Sequence, residues 1–491
     1  MKREIAVAIL CCWCFSNTWA EPAAGRTTKP NIVFILADDL GYMDIHANNP
    51  NTFYETPNLD LLAKEGMRFT SAYAAAPVCS PTRASILTGK YPARLQLTDF
   101  IKGTKTGKML PADSLDHLPL KEVTIAGALQ KAGYTTGLIG KWHLGGAGYL
   151  PEANGFDVNI GGSGAGAPSS YFSPYQLAKI ADGPKGEYLT DRLTQEALEF
   201  IKENARHPFF LFLSHYGVHI PLQAPRPLAA KYEDKAAAIP ESADAKFQPE
   251  GKCETRQIQD QPTYAAMVES LDNSVGQVMQ KLEQLGLSKN TVIIFFSDNG
   301  GLSTAEGSPT SNVPFRAGKG WLYEGGIREP LLVKWPGATQ PGSVSDLPVT
   351  STDFYPTLLE IAGLPLQPEQ HCDGVSLAPL LQHGWAPERE ALFWHYPHYS
   401  NQGGGPTSAV RQGNWKLIRS LEDQSTELYN LKDDIGERQN LAAQMTNKVS
   451  EMNLLLDDFL KDTHASFPKE NRDEATTNAP PPPSYLPIKR F

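Results

Sequence analysis

Four short, largely apolar runs set the tightest limit on what this chain can fold into. They are Asn31 to Ala37, Thr135 to Gly140, Pro208 to Leu213 and Val292 to Phe296. Each stops at polar, chemically capable residues: Asp38-Asp39, Lys141-Trp142-His143, Ser214-His215 and Asp298-Asn299-Gly300-Gly301. A strand that is apolar on both faces has no side for water, so it belongs inside a parallel sheet covered above and below. Helical patterns separate the runs: Pro57 to Glu65 closed by Gly66, Thr124 to Ala132 closed by Gly133, Leu189 to Asn204, and Tyr264 to Leu285 closed by Gly286. In the last, Met267, Leu271, Val275, Val278 and Leu282 keep helical spacing. The alternation predicts an α/β fold, a large, mostly parallel sheet flanked by helices on both faces, with functional groups beyond the carboxyl ends of the strands. The polar run-ends occupy those positions.

From about Glu390 the pattern changes. Ala391 to Trp394, Ser408 to Arg411 and Trp415 to Ile418, with Gly413-Asn414 as a turn, read as a short antiparallel meander, and Leu441 to Leu460 as a helix packed on it. The chain divides accordingly into a large α/β domain over 21–389, a smaller α+β subdomain over 390–465 and a proline-rich tail over 466–491. Residues 1–20 stand apart: Lys2-Arg3, the apolar stretch Ile5 to Phe15 and Asn17-Thr18-Trp19-Ala20 form a secretory signal cleaved after Ala20, which predicts a periplasmic or secreted protein. No later segment approaches the roughly 20 apolar residues of a membrane span, so no transmembrane anchor is expected. Three of the six cysteines fall in that leader; of Cys79, Cys253 and Cys372 at least one is unpaired, and a Cys253–Cys372 disulfide is left open. The chain has no Asn-x-Ser/Thr acceptor, which fits a bacterial exported protein. A net charge of −10 argues against a nucleic-acid partner, so an anionic ligand must be held by a few local cations.

The chemistry concentrates in Cys79-Ser80-Pro81-Thr82-Arg83, followed by Ala84-Ser85-Ile86-Leu87-Thr88-Gly89. Ser80 suits a helix cap, Pro81 the first helical position, and Gly89 the end. A group at that helix start meets free N–H groups and the positive end of the dipole, with Arg83 about one turn further in, which favours a tetrahedral oxyanion. Asp38, Asp39, Asp298 and Asn299 supply four hard oxygen donors at two strand ends, a set suited to Ca²⁺ or Mg²⁺.

Cys79-x-Pro81-x-Arg83 with Leu87-Thr88-Gly89 resembles the signature of the type I sulfatases, members of the alkaline-phosphatase-like superfamily whose cysteine is oxidised to formylglycine (3-oxoalanine). The resemblance runs from Asn31 to about Glu437. A thiolate is a soft ligand, poorly matched to a hard cation, whereas the hydrated aldehyde presents two hydroxyls, so donor chemistry also favours conversion of Cys79. The resemblance implies one Ca²⁺, with Mg²⁺ the lesser choice, held by Asp38, Asp39, Asp298, Asn299 and the modified Cys79. It implies that Arg83 holds the formylglycine and the sulfate. Gly140-Lys141-Trp142-His143 is similar to the family's Gly-Lys-x-His, giving a sulfate-binding Lys141 and a His143 at the hydrate. His219, in His-Ile-Pro, matches the histidine near the leaving oxygen, with His215 second to it. Lys319, ahead of Tyr323-Glu324-Gly325-Gly326-Ile327-Arg328-Glu329-Pro330, matches the second sulfate-binding lysine. A formylglycine-generating or anaerobic sulfatase-maturating enzyme is the implied partner.

The implied reaction is hydrolysis of a sulfuric ester. One hydroxyl of hydrated residue 79 attacks sulfur, Arg83, Lys141 and Lys319 neutralise the sulfuryl oxygens, His219 protonates the departing alcohol, and His143 takes the proton of the second hydroxyl as sulfate leaves. The segments 97–103, 221–262 and 395–405 are expected at the rim, where Asp99, His395 and His398 either meet sugar hydroxyls or serve structure. Leu97-Thr98-Asp99 and Trp394-His395-Tyr396-Pro397 resemble bacterial polysaccharide sulfatases related to N-acetylgalactosamine-6-sulfatase, which implies a sulfated galactose or N-acetylgalactosamine unit of a glycan as substrate. Two rival readings stay open: a phosphatase or phosphodiesterase of the same superfamily, with a Ser or Thr nucleophile and a histidine-rich zinc site, and a non-catalytic carbohydrate-binding relative with Cys79 unmodified.

Overall fold

A computed structural model describes residues 29–103, 105–240 and 245–472. The expected leader at 1–20 and the prolines at 480–483 lie outside the described residues.

The first apolar run forms β1 (Asn31–Ala37), buried along its whole length. With β2 (Met67–Phe69), β3 (Thr135–Gly140), β4 (Val158–Ile160), β5 (Phe209–Ser214), β6 (Thr291–Ser297), β7 (Leu331–Lys334) and β8 (Ser343–Ser345) it builds an eight-stranded sheet in the order β8-β2-β7-β6-β1-β5-β3-β4. β1 pairs in parallel with β6 and β5, β5 with β3, and β3 with β4, while β7 alone runs against its neighbours. The sheet is therefore mostly parallel, as its apolar runs require. Register carries the functional consequence. Ala37 lies opposite Ser297, and Leu36 and Gly140 both lie opposite Ser214, so four strands end level with one another. Asp38-Asp39, Lys141, His215 and Asp298-Asn299 leave the sheet along one edge.

The two-residue period of β1 divides the core. Ile32, Phe34 and Leu36 face a cluster with α2 (Cys79–Thr88), α3 (Ile125–Lys131) and α7 (Phe354–Ile361). Val33, Ile35 and Ala37 face α1 (Pro57–Glu65), α4 (Leu189–Glu203) and α6 (Pro262–Gln284), beside which α5 (Arg226–Ala237) packs. No described helix is long and apolar enough to cross a membrane.

The carboxyl-terminal meander is a four-stranded antiparallel sheet of β9 (Leu392–Tyr396), β10 (Thr407–Gln412), β11 (Trp415–Ser420) and β12 (Thr426–Asn430). Met452, Leu456, Phe459 and Leu460 of α8 (Thr446–Asp462) cover one face through Val410, Leu417 and Leu428. The other face meets the large sheet's side of the molecule through Trp394 and Tyr396 against Tyr73, Val78, Leu322 and Ile327. Within this seam Lys416 Nζ is wholly buried, 2.9 Å from Glu324 Oε1 and 2.8 Å from Glu437 Oε1. Cys253 and Cys372 are free, so the disulfide left open by the sequence is not formed. Cys253 lies against Gly403, whereas Cys372 is exposed next to Asp373, whose backbone N–H reaches Gly89 at the end of α2.

Candidate active site

Helix α2 starts at Cys79 itself, with Val78 extended in the cap position and no side-chain cap. Ser80, expected as the cap, does something else: its hydroxyl donates to His143 O at 2.9 Å and accepts from Ile101 N at 3.1 Å. It ties the first turn to two site loops instead of closing the helix end. Pro81 is the third helical residue rather than the first. Gly89 ends the helix as expected, in the left-handed region at φ 69, with its N–H on Ser85 O. All ten residues of α2 are buried, and Cys79 is 2% exposed.

Around that helix start the strand ends deliver three carboxylates and one of the three cations, Lys141, while Arg83 comes from α2 and Lys319 from the loop between β6 and β7. Cys79 Sγ is 3.5 Å from Asp38 Oδ1. Lys141 Nζ donates to Asp38 Oδ2 at 2.7 Å, and Lys319 Nζ lies 2.8 Å from each oxygen of Asp39. Arg83 Nε and Nη2 both sit 2.7 Å from Asp298 Oδ2, while Nη1 donates to Ser214 Oγ at 2.6 Å and Lys141 O at 3.1 Å. Arg83 Nη2 makes no aligned hydrogen bond of its own, which leaves donor capacity facing Asp38 at 3.7 Å. His219 Nε2 approaches Asp39 Oδ2 to 3.6 Å, and its Nδ1 lies 2.8 Å from Ile220 O. Asn299 Nδ2 donates to Asp39 Oδ1 at 2.8 Å. Asp39 and His143 occupy left-handed backbone, at φ 64 and 57, as the loops turn sharply toward the centre. A Cβ on Gly166 would fall 2.7 Å from the His143 ring, so that glycine lets a loop lie directly on the imidazole.

Electrostatics in this buried site are set by burial first. Burial pushes the Cys79 thiol up to about 12, against the pull of Lys141 and Lys319, so at neutral pH an unmodified Cys79 is a protonated thiol and a poor nucleophile. Burial also works to raise Asp39, but Lys319, His219 and Lys141 outweigh it and hold the carboxyl at about 2. Asp298 goes the other way, to about 6, through burial and the neighbouring Asp38 charge. Burial and Lys319 lower His219 to about 4; burial, Lys141 and Arg83 hold His143 well below the usual imidazole value. Both rings are neutral near pH 7.

The donor set fits a hard divalent cation. Ligating atoms of Asp38, Asp39, Cys79 and His219 all lie within 4.8 Å of one another, and the buried Asn299 Oδ1 has no protein partner. Asp298 stands one step behind, its Oδ2 engaged by Arg83 and its Oδ1 3.3 Å from Asp39 N.

Cys79, Arg83, Lys141, His143, His219, Lys319, Asp38, Asp39, Asp298 and Asn299 therefore surround one point. His215 does not join them: it is fully buried, its Nε2 3.0 Å from Ser274 Oγ on α6. His395 is likewise internal, bridging Ser408 Oγ and Ser466 O at 2.8 Å each. Asp99 and His398 are buried near the first turn of α2. Ser214, in sequence only one of the polar residues at a strand end, takes a role there by accepting from Arg83 Nη1.

A family model described as Sulfatase matches residues 30–364, and one described as N-sulphoglucosamine sulphohydrolase, C-terminal, matches residues 317–464. A curated sulfatase of Formosa agariphila is 33% identical, with 85% of this chain and 85% of that protein covered. The N-acetylgalactosamine-6-sulfatase of Mus musculus is 32% identical over 87% of this chain and 79% of its own length. Among solved structures, that of Ps i-CgsB in complex with k-i-k-neocarrahexaose superposes with a TM-score of 0.72 at 30% identity, covering 92% of this chain and 97% of the other. With strand ends, cysteine helix and matching relatives in agreement, the chain belongs to the sulfatase family, enzymes that hydrolyse sulfuric esters.

Proposed function

We propose that the protein releases inorganic sulfate from a sulfated galactose or N-acetylgalactosamine unit of a glycan, acting through formylglycine at position 79 and one Ca²⁺. The observation that carries this reading is the convergence of Cys79, held as an inert thiol at a buried helix start, with three carboxylates, Asn299, Arg83, Lys141 and Lys319. A sulfated carbohydrate is supported by the N-acetylgalactosamine-6-sulfatase relative and by the neocarrahexaose bound to the structural neighbour.

Formylglycine, as its hydrate, supplies one hydroxyl for attack on sulfur and a second for release of the product. Asp38, Asp39, Asp298, Asn299 and residue 79 would hold the calcium ion, which would supply positive charge to acidify a hydroxyl and offset charge on the sulfuryl oxygens. The chain's own groups do the rest. Arg83, Lys141 and Lys319 bind the sulfuryl oxygens and stabilise the charge that grows on them, in a site where water does not screen it. His219 protonates the departing alcohol. Its Nδ1–H donates to Ile220 O, which leaves Nε2 to receive and deliver the proton. His143, neutral and oriented by its backbone and by Gly166, takes the proton that must leave residue 79 before sulfate departs. His219 stands alone as a histidine in the ligand cluster among the described residues, unlike the histidine-rich zinc site that a phosphatase reading requires. The leader-like pattern of residues 1–20 supports action in the periplasm or outside the cell, after a maturating enzyme has acted.

The test is to produce the chain together with a sulfatase-maturating enzyme, take the peptide mass over residue 79, and assay sulfate and phosphate esters in parallel. The expected result is aldehyde at residue 79 and sulfate release from sulfated galactose or N-acetylgalactosamine saccharides. Full turnover with an intact thiol, or faster hydrolysis of the phosphate esters, overturns the proposal.

A further inference from the structure

Asp99 and His398 form a polar pair that none of the steps above uses. Asp99 Oδ1 accepts from Tyr396 Oη at 3.0 Å and from Phe100 N at 2.9 Å, which fixes the carboxylate plane. Among the described residues no hydrogen bond reaches Oδ2. His398 is 2% exposed, with Nε2 2.8 Å from Thr98 Oγ1 and Nδ1 buried without a partner, 3.9 Å from Asp99 Oδ2. The Thr98 hydroxyl can donate to Nε2, and in that tautomer the ring proton sits on Nδ1. An acceptor and a donor thus stand side by side, both unanswered, where an orphaned polar group costs free energy.

Their place in the fold ties them to the reaction centre. Ile101 N, two residues after Asp99, donates to Ser80 Oγ beside the Cys79 backbone. Tyr396, which holds Asp99, packs in the same buried apolar cluster as Val78, the residue before Cys79. Gly103 lies directly on the Asp99 side of the pair: a Cβ there would fall 2.1 Å from Asp99 Oδ2, and its backbone is not left-handed, so close approach rather than φ calls for glycine.

We propose that Asp99 and His398 form the subsite that reads a hydroxyl group on the sulfated sugar unit, Asp99 Oδ2 accepting its hydrogen and His398 Nδ1–H donating to its oxygen. The inference rests on the sulfated-carbohydrate reading. An oxygen about 2.8 Å from two atoms 3.9 Å apart subtends an angle of about 90°, within reach of one hydroxyl serving as donor and acceptor together. An ammonium group has nothing to accept from Nδ1–H, and a carbonyl has nothing to give Oδ2. An aryl ester without a hydroxyl satisfies neither.

The experiment uses the full, matured chain with 4-nitrophenyl sulfate and the 6-sulfates of galactose and N-acetylgalactosamine with their singly deoxygenated analogues. The readout is the ratio of kcat/KM on the sugar ester to that on the aryl ester. Asp99→Ala is expected to lower this ratio by about 10- to 100-fold, the worth of a hydrogen bond to a charged group. Asp99→Asn, which keeps the Oδ1 contacts, falls less, and Gly103→Ala lowers the ratio by displacing Asp99 Oδ2. One deoxy analogue shows the same loss in the unsubstituted enzyme and no further loss in Asp99→Ala. An unchanged ratio, with both esters slowed equally or not at all, overturns the subsite and leaves the sulfatase reading standing. So does hydrolysis of the aryl ester with no turnover of any sugar sulfate. No sulfate release from any ester by protein carrying the aldehyde overturns the sulfatase reading, and the subsite with it.

Discussion

At residue 79 burial raises the thiol to about 12, and serine is no substitute for the proposed hydrate either. A serine hydroxyl has the oxygen needed for attack but no second hydroxyl for release. Cys79→Ser is expected to be inert or to stop after one turnover with sulfate bound covalently, which intact-protein mass after substrate exposure detects; sustained turnover refutes the release step. His219 gives a pH prediction. In the substrate-free site it is neutral above about 4, yet it must carry a proton to serve the leaving alcohol. On a sugar sulfate kcat/KM is therefore expected to fall as pH rises above about 4, approaching tenfold per unit, and His219→Gln removes that slope with the activity it governs. Site residues were legible where chemistry and sequence neighbours coincide, as in Asp38-Asp39 and Asp298-Asn299 at strand ends. They were not legible where the fold decides: His215 and His219 differ by four residues, and only the turn after β5 sends one into α6 and the other to Asp39. His395 and His398 read alike in sequence, but one side chain is consumed by Ser408 and Ser466 while the other keeps a free nitrogen.

At the scale of elements, the four long apolar strands announced themselves because being buried on both faces leaves no other composition open to them. The short strands β2, β7 and β8 carry three or four residues each and sit among Gly and Pro, too brief for any period to register. The helix Arg226–Ala237 escaped for a related reason: it buries only Ala229 and Tyr232 and so carries little apolar pattern. Two substitutions probe what holds the site elements in place. Phe34 of β1 stacks on Phe212 at 5.2 Å and meets Phe354 edge-on at 5.0 Å, so Phe34→Ala is expected to cost about 3–5 kcal/mol in a denaturant titration. Gly89 is both left-handed and crowded, since a Cβ there falls 2.5 Å from His371 Cβ. Gly89→Ala is expected to cost about 1–3 kcal/mol and to lower activity by shifting the helix that carries Cys79.

Across the whole molecule, the small sheet is fastened to the large one through a charge that water does not reach. Lys416→Met leaves Glu324 and Glu437 facing each other without their shared cation, and a loss of about 3–5 kcal/mol is expected. Glu437 is already lifted to about 7 by burial, so without Lys416 the folded state favours its protonated form. The variant should accordingly lose less stability at pH 5 than at pH 8, compared by thermal midpoint at both. Stripping divalent cations is expected to lower the midpoint of the unsubstituted protein, and added Ca²⁺ to restore it in a concentration-dependent way.

Helix α2 lies inside the molecule from end to end, with the sulfur at its first residue sealed beneath the loops that Ser80 ties down. A modifying enzyme can grip that segment only while it is an extended peptide. Under the conversion proposed for residue 79, modification and folding would compete, and copies that fold first would keep a thiol that no later exposure to a modifying enzyme could reach.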